Sequence, residues 1–212
     1  MRPKHLLEPS LKEGIFVVPK SYREEERASF PSFREIFGND NPVYIEFCSG
    51  NGDWLAENAL KNKDINWIGV EKQFPRVRKI WSKKKNHALD NLFIIYGMGE
   101  DFLLGYPIDG VVDKIYVNFP DPWPKTRHAK HRIIKSIFIE GLLPLTKAGT
   151  TLTVVTDDAP YAKEVLKEME KHPLWQNSFT GEMPKDYGAS YFQRLFLAQE
   201  KKIHSMEFVR VG

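Results

Sequence analysis

The sequence has 212 residues, of which 42% are hydrophobic and 28% are charged, and its formal net charge is +3. These values are typical of a soluble globular protein with one sizeable buried core, and they exclude a polycationic chain. The single cysteine, Cys48, excludes an internal disulfide and a metal site built from several cysteines, and no apolar run approaches the roughly 20 residues of a membrane helix.

Residues 1–40 are mixed in character, and we expect them to form a partly mobile N-terminal arm ahead of a domain over residues 41–212. The N-terminus carries charges and lacks the hydrophobic core of a signal peptide, so we expect a cytoplasmic protein. The charged segment 21–27 predicts an exposed helix or arm. Apolar residues then recur at helical spacing and predict a segment that docks on the domain: Phe30, Phe33, Ile36 and Phe37.

From residue 43 onward the predicted strands and helices alternate. The predicted strands are residues 43–48, 66–70, 92–96, 114–119 and 150–156. The predicted helices are residues 53–60, 75–87, 133–143 and 161–171. Alternation of this kind implies a mainly parallel sheet with helices on both faces. Residues 191–197 and 203–209 predict a closing hairpin, which would give the sheet an antiparallel edge.

A glycine turn follows the first predicted strand. Gly50 and Gly52 would let the backbone approach a ligand closely. Glu71 ends the second predicted strand, where an acid can accept hydrogen bonds from two ribose hydroxyls. Two ligands use this arrangement, a nicotinamide dinucleotide and S-adenosylmethionine.

The residues around the turn favour S-adenosylmethionine. A dinucleotide needs a third glycine where this chain has Leu55, and Asp53 at the helix start would repel a pyrophosphate. Glu46 lies within the first predicted strand. It is either a strand-end carboxylate that faces solvent or a second acid for the cationic methionine portion.

A proline-rich block follows the fourth predicted strand. Prolines at positions 120, 122 and 124 prevent the strand from continuing, which predicts a stiff loop at a strand end. Open α/β sheets place their chemistry at such ends. The loop displays one carboxylate, Asp121, and one large aromatic ring, Trp123. The tryptophan could stack on a base or pack against the core.

Basic residues follow the proline block without an intervening acid. Five cations fall within eleven residues: Lys125, Arg127, Lys130, Arg132 and Lys135. This composition suits a phosphate-rich partner, although a solvated basic helix start has the same pattern. His128 and His131 lie among the cations and have no third partner at metal-ligand spacing, so we expect no metal site.

These features occur together, and in this order, in one known family. The motifs concerned are residues 37–39, 46–52, 69–72 and 118–125, then His128, Lys130, Arg132, Thr156 and Asp157. On these residues the chain resembles the bacterial tRNA (guanine-N7-)-methyltransferases, and the block 118–125 is highly specific to them. The resemblance implies an α/β fold, the Rossmann-like class I S-adenosylmethionine-dependent methyltransferase fold. That fold has a mainly parallel seven-stranded sheet and an antiparallel C-terminal hairpin, here over residues 41–212.

The resemblance also implies a reaction and a set of contacts. The reaction is transfer of a methyl group from S-adenosylmethionine to N7 of the variable-loop guanine, position 46, in tRNA. The cofactor contacts implied are Glu46, Gly50, Gly52, Glu71 and, on the adenine side, Met98 or Glu100. The substrate contacts implied are Asp121, Lys125, Asp157, Ser190, Phe192 and Gln193. The basic cluster adds expected phosphate contacts from Lys125, Arg127, Lys130 and Arg132. The expected partner is tRNA, with no metal and no membrane, and the chain would act as a monomer or homodimer.

Three positions depart from the family pattern. Cys48 replaces the first loop glycine, which predicts a less close approach of the loop to the cofactor. Met98 stands where the family has an acid, with Glu100 two residues further on. Gln193 replaces the glutamate that ends a Thr-x-Phe-Glu motif, while Ser190 and Phe192 keep its hydroxyl and its ring.

The chemistry of the implied reaction needs little from the protein beyond positioning. Guanine N7 carries a lone pair and no proton, so no base is required and in-line placement supplies most of the acceleration. Asp121 would either stabilise the positive charge that develops on the base or bind the guanine N1–H and amino edge.

Two other functions remain open at the level of sequence. One is a methyltransferase of another RNA or of an exocyclic amine, because residues 118–120 resemble the Asn-Pro-Pro-aromatic loop of such enzymes. The other is a non-catalytic RNA-binding protein with a degenerate cofactor fold, which the three departures would support.

Overall fold

The computed structural model describes residues 10–19, 30–106, 108, 110–179, 198–199 and 202–212. The strands in this part of the chain are β1 Ser10–Lys12, β2 Ile15–Val17, β3 Val43–Phe47, β4 Asn66–Glu71, β5 Leu92–Tyr96, β6 Val112–Asn118, β7 Thr146–Thr156, β8 Trp175–Asn177 and β9 His204–Arg210. The α-helices are α1 Phe33–Phe37, α2 Asp53–Lys61, α3 Phe74–Asn86, α4 Gly99–Gly105, α5 Ser136–Gly141 and α6 Ala159–Met169. Two 3₁₀ helices cover Thr126–His131 and Leu143–Leu145.

All the described strands belong to one sheet, in the order β1-β2-β5-β4-β3-β6-β7-β9-β8. The pairs among β3, β4, β5, β6 and β7 are parallel, whereas β9 is antiparallel to both β7 and β8. The fold class expected from the sequence is therefore confirmed: the seven strands from β5 to β8 in that order form a mainly parallel sheet with an antiparallel edge. Six of these seven strands were predicted, and β8 was not. β1 and β2 extend it at the β5 edge, where β2 is parallel to β5. The sequence interpretation did not identify these two strands.

Several element boundaries differ from the predictions. Helix α4 was missed, because its glycines at both ends and its short length give it the pattern of a loop. Helix α5 is shorter than predicted, since Ile133 and Ile134 are buried in an irregular segment before it. The strand that pairs with β9 at the edge is β8, while the predicted strand 191–197 and the charged segment 21–27 lie outside the described residues.

Helices cover both faces of the sheet and create two apolar clusters. Helices α2 and α3 pack on one face, where Leu55 and Ile80 are fully buried. Helices α4, α5 and α6 pack on the other, where Phe138 and Val165 are buried. All six residues of β4 are buried, which is typical of a parallel strand covered on both sides. The predicted docking of the segment before residue 38 is confirmed, since Phe33 is buried in the second of these clusters.

The turn that leads from β3 into α2 leaves no room for a side chain at Gly52. Gly52 has a φ of +71°, and an added Cβ would lie 2.6 Å from Cγ1 of Ile80. Gly38 has the same φ, but nothing lies within 4 Å of its added Cβ. The two glycines therefore separate the effect of backbone conformation from the effect of crowding.

We predict that Gly38→Ala lowers the free energy of unfolding by about 1–2 kcal/mol, the cost of a left-handed alanine. Gly52→Ala should lower it by roughly a further 1–3 kcal/mol, because the methyl group must displace Ile80 in a packed core. Urea unfolding of both variants measures the difference. Equal losses would show that the loop moves away from α3 without cost.

Candidate active site

A cleft opens at the carboxyl ends of β3, β4, β6 and β7, with a cavity volume of about 220 Å³. Neighbouring parallel strands end on the same edge of the sheet, so loops that are distant in sequence meet there. Five residues implicated by the sequence line this cleft: Glu71, Met98, Glu100, Asp121 and Asp157. Three basic side chains also line it that the sequence interpretation had not placed in the site: Lys72, Arg76 and His131.

The loop after β3 is built from left-handed residues. Cys48, Gly50 and Gly52 have φ values of 62°, 55° and 71°. The Ser49 hydroxyl donates to the Glu46 carbonyl oxygen at 2.9 Å, which closes the turn against the end of the strand. Cys48 thus adopts the conformation that a glycine takes without strain, and its side chain lines the cleft. Burial raises the pKa of its thiol.

Glu71 fastens this loop to the neighbouring strand. The Gly50 N–H donates to Glu71 Oε2 at 2.9 Å, and the Gln73 N–H donates to Oε1 at 2.8 Å. Arg76 Nη1 lies 3.8 Å from Oε2. The side chain is buried, and that burial raises the pKa of the carboxyl group although the two N–H donors and Arg76 oppose the shift. The predicted pairing of the glycine turn with an acid at the end of the second strand is therefore present.

Glu46 is buried beneath the same loop and is not among the residues lining the cleft. Asn118 Nδ2, at the end of β6, donates to its Oε1 at 2.7 Å. Its Oε2 is buried and makes no hydrogen bond within the part of the chain that the structure describes. Burial raises the pKa of Glu46 to about 8, and the hydrogen bond from Asn118 partly offsets this rise. The solvent-facing alternative considered for Glu46 is thus wrong.

The segment after β5 forms another wall of the cleft. Met98 precedes α4, and Glu100 lies in its first turn. Both residues line the cleft, and burial raises the pKa of Glu100. Gly99 lies against Phe47, because an added Cβ would be 2.9 Å from the phenylalanine ring. A side chain at position 99 would therefore displace this wall of the cleft.

The loop after β6, residues 119–125, is hereafter called the proline loop. Phe119 and Trp123 have φ values of 47° and 44°, which is the left-handed region although neither is glycine. The Phe119 N–H donates to the Val155 carbonyl oxygen at 2.8 Å, which fixes the start of the loop on β7. Non-glycine residues keep such a conformation only where the surrounding structure holds them in it.

Trp123 lies in the cleft wall and is surrounded by basic side chains. Its ring centroid is 5.7 Å from that of His128 and 5.3 Å from that of His131. Lys72 Nζ lies 5.9 Å from the centroid of the indole. Burial and the nearby cations, Lys130 foremost among them, lower the pKa of His131.

Asp121 is the exposed carboxylate of the proline loop. Its side chain is 55% exposed, and its Oδ2 lies 3.8 Å from Nζ of Lys72, which directly follows Glu71. Asp157 enters the same cleft from the end of β7. The structure therefore brings the predicted substrate carboxylates to the same cavity as Glu71.

The cations after the proline loop fall into two groups. Lys125, Arg127 and Lys130 are exposed around the 3₁₀ helix Thr126–His131. Arg132 differs, because only 11% of its side chain is exposed and its donors bond to protein acceptors. Sequence grouped these four residues together, but only the first three have side chains directed to the surface.

Three further expectations concern the C-terminal substrate residues, a metal site and a membrane helix. Ser190, Phe192 and Gln193 lie outside the described residues. Among the residues with described positions, no group of three or more His, Cys, Asp or Glu could hold a metal ion. No helix in the described ranges is long and apolar enough to cross a membrane.

Comparison with known sequences identifies close relatives. A family model described as "Putative methyltransferase" matches residues 40–206. A tRNA (guanine-N(7)-)-methyltransferase of Chlamydia muridarum is 44% identical over 207 residues, covering 96% of this chain and 92% of the relative. A protein of the same name from Ureaplasma parvum is 36% identical and covers 82% of this chain and 83% of its own length.

Comparison with solved structures supports the fold. The 16S rRNA methyltransferase KamB matches with a TM-score of 0.63 at 14% identity, covering 84% of this chain and 93% of that chain. The aminoglycoside resistance methyltransferase NpmB1 matches with a TM-score of 0.58 at 20% identity, covering 90% and 95%. At these identities the likeness concerns the fold alone.

The buried Glu46 carboxyl group predicts a pH dependence of stability. Because its pKa rises from 4.5 to about 8 on folding, the folded protein keeps a proton that the unfolded chain releases within this range. The contribution of Glu46 to the free energy of unfolding should therefore fall as the pH rises from about 4.5 to about 8. Glu46→Gln mimics the protonated form and should remove this fall.

Urea unfolding of ligand-free protein at several pH values measures the effect. Glu46→Gln should be more stable than the parent protein at pH 8, with the difference shrinking toward pH 5. Glu57→Gln, which changes a partly exposed acid paired with Lys61, is the control and should follow the parent profile. Parallel profiles for Glu46→Gln and the parent would show that Glu46 is ionised in the folded protein.

Proposed function

The chain belongs to the tRNA (guanine-N7-)-methyltransferase family, and we propose that it methylates N7 of the guanine at position 46 in the variable loop of tRNA. The observation that carries this proposal is the single cleft that holds both Glu71, beside the glycine turn, and Asp121, on the proline loop. A methyl donor bound beside Glu71 and a nucleobase bound beside Asp121 would then meet in one open cleft. Family membership does not favour the exocyclic-amine or non-catalytic alternatives. Because the substrate is tRNA, we place the reaction in the cytoplasm, with a monomer or homodimer as the acting form.

Enzymes of this class use S-adenosylmethionine, and the residues present fit that cofactor. Glu46 Oε2 is a buried acceptor without a hydrogen-bond donor among the described residues. An ammonium group supplies such a donor and favours the ionised carboxylate. Glu71 can accept further hydrogen bonds, since an ionised carboxylate offers about four lone-pair sites and its side chain lines the cleft. Glu46 would therefore hold the methionine portion, and Glu71 would hold the ribose.

The cofactor supplies an electrophilic methyl group on a sulfonium when bound. The protein's part is to orient the acceptor nitrogen, because guanine N7 attacks through its lone pair without losing a proton. Asp121 contributes a negative charge near the base that becomes cationic. Trp123 offers its ring to the guanine, and Asp157 supports the site from β7.

Recognition of the RNA backbone belongs to the exposed cations beside the proline loop. Lys125, Arg127 and Lys130 would bind phosphates around the mouth of the cleft. Lys72 lies at the same mouth and pairs with Asp121 at a distance of 3.8 Å. Guanine entry would therefore exchange the Lys72 contact of Asp121 for a contact with the base. Ser190, Phe192 and Gln193 remain proposed substrate contacts on the basis of the family resemblance.

We predict that Glu71→Ala weakens S-adenosylmethionine binding by about 1–3 kcal/mol, through the loss of charge-assisted hydrogen bonds. Because Glu71 also holds the glycine turn, Glu71→Gln serves as a second variant that keeps one acceptor oxygen. Isothermal calorimetry measures both, with Glu57→Ala as the control on a partly exposed acid. Unchanged cofactor affinity in folded Glu71 variants would refute the assignment.

We predict that Asp121→Asn lowers the turnover rate by about 10²–10³, as for other preorganised electrostatic contacts. The affinity for S-adenosylmethionine should change little, because Asp121 lies on the proline loop. The assay uses bulk tRNA and labelled S-adenosylmethionine, followed by nucleoside analysis. A loss that appears mainly as weaker tRNA binding would assign Asp121 to the guanine edge instead.

The same assay tests the reaction itself. The expected product is 7-methylguanosine from the variable loop. A different labelled nucleoside, or near-normal turnover in Asp121→Asn, would contradict the proposed function.

A further inference from the structure

Arg132 is bound on every side of its guanidinium. Nε donates to the Pro122 carbonyl oxygen at 2.7 Å, and Nη2 donates to the Trp123 carbonyl oxygen at 3.1 Å. Nη1 forms an ion pair with Glu164 of α6. The guanidinium carbon lies 5.4 Å from the ring centroid of Tyr161, which is also on α6. One side chain thus joins the proline loop to α6.

Arg132 donates to the carbonyl groups of the two residues that come immediately after Asp121. Trp123 has a left-handed φ of 44°, and Phe119 at the start of the loop has a φ of 47°. The Asp121 carboxylate is 55% exposed, so few side-chain contacts hold it, and the backbone on either side decides its position. Phe119 is fixed through its N–H to Val155, and Arg132 fixes the other side.

The free energy of burying a charge favours an Arg132 side chain that stays bound to its protein acceptors. A guanidinium that is 11% exposed is costly unless paired, and the Glu164 carboxylate supplies the opposite charge. The planar fork of arginine reaches two carbonyl oxygens and a carboxylate at once, which the single ammonium of lysine cannot reproduce. Turning Arg132 toward a phosphate would break these contacts and leave the loop carbonyls without their donors.

We propose that Arg132 is a positioning residue for methyl transfer, not a phosphate contact. It holds the proline loop so that Asp121 and Trp123 face the acceptor base, and Glu164 keeps the guanidinium in place. Asp158 caps α6 by accepting from the Tyr161 N–H at 2.7 Å, so the same helix start that follows Asp157 also supports Arg132. This inference rests on the proposed function, since its effect is expressed in tRNA methylation.

The first test replaces Arg132 by lysine, which keeps the charge and loses the fork. A positioning role predicts that kcat falls by about tenfold or more, because small misplacements of reacting groups are costly. The affinity for S-adenosylmethionine and the salt dependence of tRNA binding should stay unchanged. A phosphate contact predicts near-normal kcat, since lysine also binds phosphate, and that result would overturn the proposal. Arg127→Lys, on the adjacent exposed segment, is the matched comparison.

A double-variant cycle separates positioning from a general loss of structure. If Arg132 acts through Asp121, Asp121→Asn combined with Arg132→Lys should lose little more activity than Asp121→Asn alone. Fully additive losses would assign Arg132 a role that is independent of Asp121 and would overturn the proposal. Thermal unfolding of each variant confirms that folded proteins are compared.

If Arg132→Lys fails to fold, Glu164→Gln provides the second route, because it leaves Arg132 intact and removes its charged partner. Positioning predicts a lower kcat with unchanged tRNA affinity. A phosphate-binding Arg132 would be released by this change, and tRNA affinity would rise with a steeper salt slope, which would overturn the proposal. The parent protein is assayed alongside. Absence of 7-methylguanosine from the parent refutes the proposed function, whereas normal kcat in the variants refutes only this inference.

Discussion

The two backbone N–H groups that donate to Glu71 hold together the part of the cleft that we propose for the cofactor. They come from Gly50, in the turn after β3, and from Gln73, at the start of α3, so one buried carboxylate joins three segments. The Gly50 bond is buried, and leaving such a donor unpaired costs about 1–3 kcal/mol. Other residues of the cleft lie next to Glu71 in sequence or in space. Lys72 follows Glu71 and reaches Asp121, and Arg76 reaches the cleft from the first turn of α3.

The charges of the site are arranged in layers. Acids lie inside, where burial raises the pKa values of Glu46, Glu71 and Glu100. Cations lie at the mouth and include Lys72 and the exposed basic residues after the proline loop. This layout suits a reaction between a cationic cofactor and a polyanionic RNA. The cofactor would lie near the buried acids, and the RNA phosphates would lie near the cations at the mouth. With a net charge of only +3, the chain depends on local placement for this complementarity.

The proline loop shows how rigidity is built from contacts outside the loop. The prolines stop the strand, but they do not by themselves keep Phe119 and Trp123 in left-handed conformations. At one end the Val155 carbonyl oxygen accepts from the Phe119 N–H. At the other end Arg132 donates to the carbonyl oxygens of Pro122 and Trp123. A carboxylate placed on such a loop needs little reorganisation when a base binds, which is the condition for effective electrostatic stabilisation.

The sequence by itself determined the fold class and much of the site. Apolar runs separated by helical periods predicted the parallel strands, and the acid at position 71 after the glycine turn predicted the cofactor side. Residues 118–125 predicted the family, because their order is specific to it. These features depend on neighbouring residues, which local periodicity and turn chemistry encode.

Only the tertiary structure decided the partners of the charged groups. Arg132 and Arg127 belong to the same basic segment, yet Arg132 is bound to α6 and Arg127 is exposed. The bond from Asn118 to Glu46 joins residues 72 positions apart. The contact between Lys72 and Asp121 likewise joins the segments that follow two separate strands, β4 and β6. A buried polar group must be paired with whichever segment packs against it, and the packing of distant segments is not encoded in the pattern around any single residue.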